Sequence, residues 1–155
     1  MKYIRLTKEQ LEELHQEFIN FLATQSITGK EWQQIKQTQP KVAEQELDVF
    51  SDLIWEGALD RAKYLLNSSP QQLFMFKMEQ DQIKLILVKT TAPMDLTTAD
   101  GLTWLQTNIL SNHVELFTAA KEYSEDRNKD IFELIQQGAE ISEGTLFETI
   151  SGQIS

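Results

Sequence analysis

Leu11, Leu14, Phe18, Phe21 and Leu22 recur at three- and four-residue intervals, the spacing that lines one face of an α-helix. Thr7 with Gln10 has the form of a capping box, so the pattern predicts an amphipathic helix over residues 8–24. Thr28 with Glu31 repeats the start signal ahead of Trp32 and Ile35. This second helix is expected to stop before Pro40, because the residue preceding a proline is driven out of the α region. From Lys41 to about Leu59 the stripe is Ala43, Leu47, Phe50, Ile54 and Ala58, with Val49, Trp55 and Leu59 adding apolar surface elsewhere. Such a helix is covered on more than one side.

The period then changes. AKYLLN (62–67), QLFMFKM (72–78) and IKLILVKT (83–90) are short apolar runs separated by NSSP and EQDQ, which reads as an antiparallel meander with tight turns. In LFMFKM and LILV both alternating faces are apolar, so the sheet is expected to be covered on both, by helices on one and by helices or a partner subunit on the other. Beyond it, Thr98 opens a helix through Leu102, Leu105 and Ile109. HVELFTAAKEY (113–123) suits either helix or strand, and the expectation is helix. Ser124 or Asp126 starts a helix carrying Ile131, Leu134 and Ile135, Gly138 stands where a helix ends, and a last helix around 143–150 presents Leu146, Phe147 and Ile150. The expected fold is α+β: helices packed on a small three-stranded antiparallel sheet, about 62–90, between an N-terminal and a C-terminal helical part, in a single domain over 1–155.

Composition narrows the chemistry. The chain has no cysteine and two histidines, which removes disulfides, thiolate catalysis and Cys- or His-rich metal cages. No apolar run approaches a signal sequence or a membrane span, so a cytoplasmic, soluble protein is expected. The net charge of −10 disfavours nucleic acid and anionic membrane as partners. The charge is uneven: residues 31–60 carry seven acids and two bases, residues 96–155 ten acids and three bases, while 61–95 carry five bases and three acids.

Glycine-rich phosphate loops, the GxSxG elbow and HExxH are absent. Asp126, Asn128 and Asp130 alternate as in a calcium loop, but Ile131 stands where the turn needs Gly and Gln137 where a bidentate Glu is needed. These acids suit the first turn of a helix better. Glu12 and His15 have the ExxH spacing of di-iron bundles without the second motif that chemistry requires, so His15 reads as a helix-boundary residue. No cofactor is called for.

The least ordinary feature is an acidic ladder, Glu44, Asp48, Asp52, Glu56 and Asp60, at unbroken four-residue intervals with no Lys or Arg between Lys41 and Arg61. Like charges at this spacing repel along a helix, and at about 40° per step the five sweep an arc of about 160°. The ladder is a candidate acidic partner face. It reads first as a solvated face, next as a partner for Lys77, Lys84 and Lys89 of the sheet, and last as a site for a basic protein or a divalent cation.

RLTKEQLEELHQEFINFLATQSIT (5–28), AEQELDVFSDLIWEGAL (43–59) and DRNKDIFELIQQGAEI (126–141) resemble a family of short bacterial proteins of unknown function found mainly among Bacteroidota. The resemblance implies one domain in a bacterial cytoplasm and carries no activity, cofactor or catalytic residue. The expected function is therefore a non-enzymatic interaction or scaffold domain, self-associating as a homodimer through the doubly apolar sheet or the C-terminal helices, or offering its acidic surface to a basic protein. The alternative is a carboxylate-based enzyme or small-ligand binder using Asp48, Asp52 and Glu56, with or without a divalent metal, and with Trp55 or Trp104 in its pocket. An acidic mimic of nucleic acid rests on net charge alone.

Overall fold

Start and stop signals in the sequence account for most of the elements in the computed structural model, which describes residues 1–155. Met1–Asp60 and Arg61–Ser155 form two compact units.

In the first unit, α1 (Lys8–Glu13) carries the full capping box, with the Thr7 hydroxyl accepting from the Gln10 amide and the Gln10 side chain accepting from the Thr7 amide. The single helix expected over 8–24 is divided: Leu14 leaves helical geometry and α2 (His15–Thr24) begins anew, with no proline or glycine at the break. Thr28 caps α3 (Gly29–Thr38). Pro40 then acts as the first residue of α4 (Pro40–Arg61), where its fixed φ suits a helix start and its missing N–H costs nothing. An aromatic cluster closes this core, Phe18 meeting Trp32 and Phe50 edge-on at 5.1 Å each and Phe21 meeting Phe50 at 5.4 Å.

The second unit is built on an antiparallel sheet of β1 (Tyr64–Ser69), β2 (Gln72–Met78), β3 (Gln82–Thr90), β4 (Val114–Glu122) and β5 (Glu140–Ser142), ordered β4-β3-β2-β1-β5. Around it lie α5 (Ala99–Asn108), α6 (Arg127–Gln136) and α7 (Thr145–Ile154), the last longer than expected. The expected three-stranded meander is present as β1–β3, and the structure corrects it to five strands. The segment 113–123, expected as helix, is β4, paired with β3 along its whole length. Its alanines and charges are helix-compatible locally, but Val114 and Leu116 alternate onto the covered face, and pairing with β3 overrides propensity. The three-residue β5 is too short to leave a period, and exists because Ile141 pairs opposite Leu65.

Register divides the sheet into two faces. On the first, Leu73, Met75, Ile86, Val88 and Val114 pack with Leu96, with Leu105 and Ile109 at the end of α5, and with Phe147 and Ile150 of α7. On the second lie Leu65, Phe74, Phe76, Met78, Ile83, Leu85, Leu87, Phe117 and Ala119. No helix of either unit is long and apolar enough to cross a membrane.

Candidate interaction surface

The acidic ladder has a local explanation that sequence reasoning did not contain. Asp52, facing the N-terminal segment, accepts the backbone N–H of Lys2 at 2.8 Å on one carboxylate oxygen and that of Tyr3 at 2.9 Å on the other. Glu56 accepts the Tyr3 hydroxyl at 2.9 Å and the Lys2 ammonium at 3.4 Å. Asp48 accepts from Arg5 Nε at 2.6 Å, and that guanidinium holds the Asp48 carboxyl below its ordinary value. Between these acids the buried Ser51 hydroxyl accepts the Leu6 amide at 3.0 Å and donates to the Leu47 carbonyl at 2.7 Å.

Residues 2–6 therefore run as a strap along α4, with three ladder carboxylates satisfying the backbone and cations of an extended segment. Glu44 and Asp60, at the two ends of the arc, are exposed. The partners of the half-buried Asp48, Asp52 and Glu56 explain why like charges are tolerated at four-residue spacing. No signal in the helix itself identifies them; the basic, extended KYIR at 2–5 was the one available pointer.

The sheet lysines have partners within their own unit. Lys77 Nζ donates to Glu148 Oε1 at 2.7 Å, the Tyr64 hydroxyl donates to the same oxygen at 2.9 Å, and Lys77 Nζ stands 5.8 Å from the Tyr64 ring and 5.9 Å from the Phe147 ring. Glu148 is drawn below the ordinary carboxylate range by Lys77 first and Tyr64 second, and Lys77 is raised by the same bond. Lys84 pairs with Glu79 at 3.3 Å. Lys89 stands over the Phe117 ring at 5.8 Å. The raised Lys77 is held in its charged form, the opposite of what a lysine acting as a base needs. The Asp126 carboxylate caps α6 by accepting the Lys129 amide at 3.2 Å, and Asp130 accepts the Ser124 amide and hydroxyl; both follow the helix-start reading. No three His, Asp or Glu side chains converge as a metal set would.

The sequence expectation was a sheet apolar and covered on both faces; the register makes the second face apolar, but its cover is partial. Two cross-strand rows run across it: Phe74, Leu87 and Phe117, then Phe76, Leu85 and Ala119. Phe74 and Phe76 stack at 6.5 Å. The strip is only partly covered, its core positions half-buried and Phe117 50% exposed. Beside it a groove of about 340 Å3 opens between β4 and α6, floored by Phe76, Ile83 and Leu85, walled by Leu134 and rimmed by Lys121, Asp130 and Glu133. The outer margin of the strip is β4, an edge strand with the run Phe117–Glu122 exposed.

These features define an α+β protein whose five-stranded antiparallel sheet packs its core face on α5 and α7 and leaves the other as a half-open apolar strip. The chain belongs to a family of unknown function, DUF6495, whose model matches residues 1–155. No curated protein and no solved structure matches it.

Proposed function

We propose that this protein is a non-enzymatic interaction domain of the bacterial cytoplasm, docking a protein partner on the second face of its sheet. The observation that carries the reading is the contiguous strip Phe74, Phe76, Leu85, Leu87 and Phe117, ending at an open strand edge. Aromatic and aliphatic side chains gathered into one accessible patch favour protein contact, since scattered apolar exposure is ordinary and clustered exposure is not. On the opposite face the Lys77–Glu148 pair holds Lys77 in its charged form and draws the Glu148 carboxyl below its ordinary range, which suits fixed structure better than proton transfer.

Replacing Phe117 with a photo-crosslinking phenylalanine tests this in cells. Discrete protein adducts are expected from position 117 and none from Leu110, which is 76% exposed in the turn after α5. Background labelling alone at position 117 overturns the reading.

A further inference from the structure

Two edges terminate the sheet, and they differ. One is β5, three residues long; the other is β4, nine residues long. A short edge strand offers little to pair with, whereas a long one without proline presents a row of backbone donors and acceptors. Within β4 the seven residues Glu115–Lys121, ELFTAAK, also have a property that an ordinary edge lacks: they are complementary to themselves when reversed.

We propose that the occupant of this edge is a second copy of the chain, its β4 pairing antiparallel with this one about a two-fold axis through Thr118, so that two five-stranded sheets become one of ten. The proposal rests on the interaction reading above and names its partner. In this register Glu115 faces Lys121 of the partner subunit, and Lys121 faces Glu115 of the partner subunit, giving two opposite-charge pairs across the seam. Phe117 faces the partner subunit's Ala119, and Leu116 faces the partner subunit's Ala120, so each bulky residue meets a small one. Ala119 lines the groove between β4 and α6, and Ala120 lines a second, of about 420 Å3, between β4 and α7. Each groove thus has room at its mouth for the opposing side chain. The row Phe74, Leu87, Phe117 continues into Ala119, Leu85 and Phe76 of the partner subunit, and the apolar strip runs unbroken through the axis.

Neighbouring registers lose this. An axis at Ala119 sets Phe117 against Lys121 and Leu116 against Glu122, while an axis at Phe117 sets Glu115 against Ala119. Isologous pairing is also the commonest way a single patch closes on itself.

The chain lacks cysteine, which makes the register directly readable. Directly opposed residues of an antiparallel pair have Cα atoms about 4.5–5.5 Å apart, within disulfide range. Thr118→Cys is therefore expected to give a disulfide-linked dimer under mild oxidation. Ala120→Cys is not, because its two copies stand about 13 Å apart along the seam. Sedimentation equilibrium of the unaltered chain is expected to return twice 17.9 kDa. Glu115→Lys alone and Lys121→Glu alone are each expected to weaken the dimer about tenfold or more, and the double exchange to restore most of it. A monomer at hundreds of micromolar, preferential linkage at position 120, or failure of the double exchange to restore what the single changes lose overturns the proposal. Adducts of Phe117 with a different protein, together with a monomeric chain, would overturn self-pairing and leave the interaction reading standing.

Discussion

Asp52 shows how one carboxylate can define a segment. Its two oxygens accept consecutive backbone amides of Lys2 and Tyr3, an arrangement the local sequence of α4 gives no reason to expect. Asp52→Ala should therefore cost about 1–2 kcal/mol of stability, since charge-assisted bonds to backbone N–H groups exceed neutral ones. Urea unfolding measures the loss, and faster proteolysis within residues 1–6 locates it in the strap. Titration gives a second test. Asp48, Glu79, Asp95 and Glu148 all lie below their ordinary values of 3.8 or 4.5, Asp95 through hydrogen bonds from Thr97 and the others through hydrogen bonds and neighbouring cations. A carboxyl depressed in the folded state binds its proton more readily when unfolded, so the stabilisation is present above the ordinary value and lost as pH falls through the folded one. The urea midpoint is expected to fall between pH 5 and pH 3, and Glu148→Gln to flatten that slope.

At the scale of elements, capping threonines made α1, α3 and α5 legible, since Thr7, Thr28 and Thr98 each accept an amide in the first turn. The start of α7 follows another rule. Gly144, with φ 84°, takes the cap position, and a Cβ there would stand 2.3 Å from Cδ2 of the Tyr64 ring. Both the backbone and the packing demand glycine. Gly144→Ala should destabilise by about 1–3 kcal/mol, read as a lowered thermal midpoint. The ring it displaces belongs to the Tyr64, Lys77 and Glu148 group that fastens α7 to the sheet, so loosening of α7 in hydrogen exchange should accompany the loss. Strand β4 was the element that local pattern misread. Its last residues, Thr118–Glu122, are exposed, so burial leaves no two-residue period there, and the pairing partner that makes it a strand lies some thirty residues away in β3.

For the whole molecule, the unequal faces of the sheet are the property with most consequence. Leu105, fully buried against the first face, and Phe117 on the second should respond differently to truncation. Leu105→Ala is expected to cost about 2–5 kcal/mol through lost transfer energy and a cavity. Phe117→Ala in dilute solution is expected to cost under about 1 kcal/mol, because the residue is already 50% exposed. A large loss at Phe117 in the dilute chain would mean that the strip belongs to the core rather than to a docking surface. Guanidinium unfolding at low micromolar concentration separates the two outcomes.

The amino-acid sequence by itself determined the α+β class, the starts of α1, α3, α5 and α6, the meander β1–β3 and the presence of apolar residues on both faces of its strands. Those are properties of spacing: three or four residues for a helix face, two for a strand, and a hydroxyl or carboxylate at a cap. Tertiary structure alone decided that Asp48, Ser51, Asp52 and Glu56 hold residues 2–6, that 114–122 joins the sheet, and that helices pack on the core of one face while leaving Phe74, Leu87 and Phe117 partly open on the other. Each of those depends on which distant segments meet, more than 40 residues apart for the strap and about 30 for β4. Periodicity reports only the side of an element that is apolar, never what arrives to cover it.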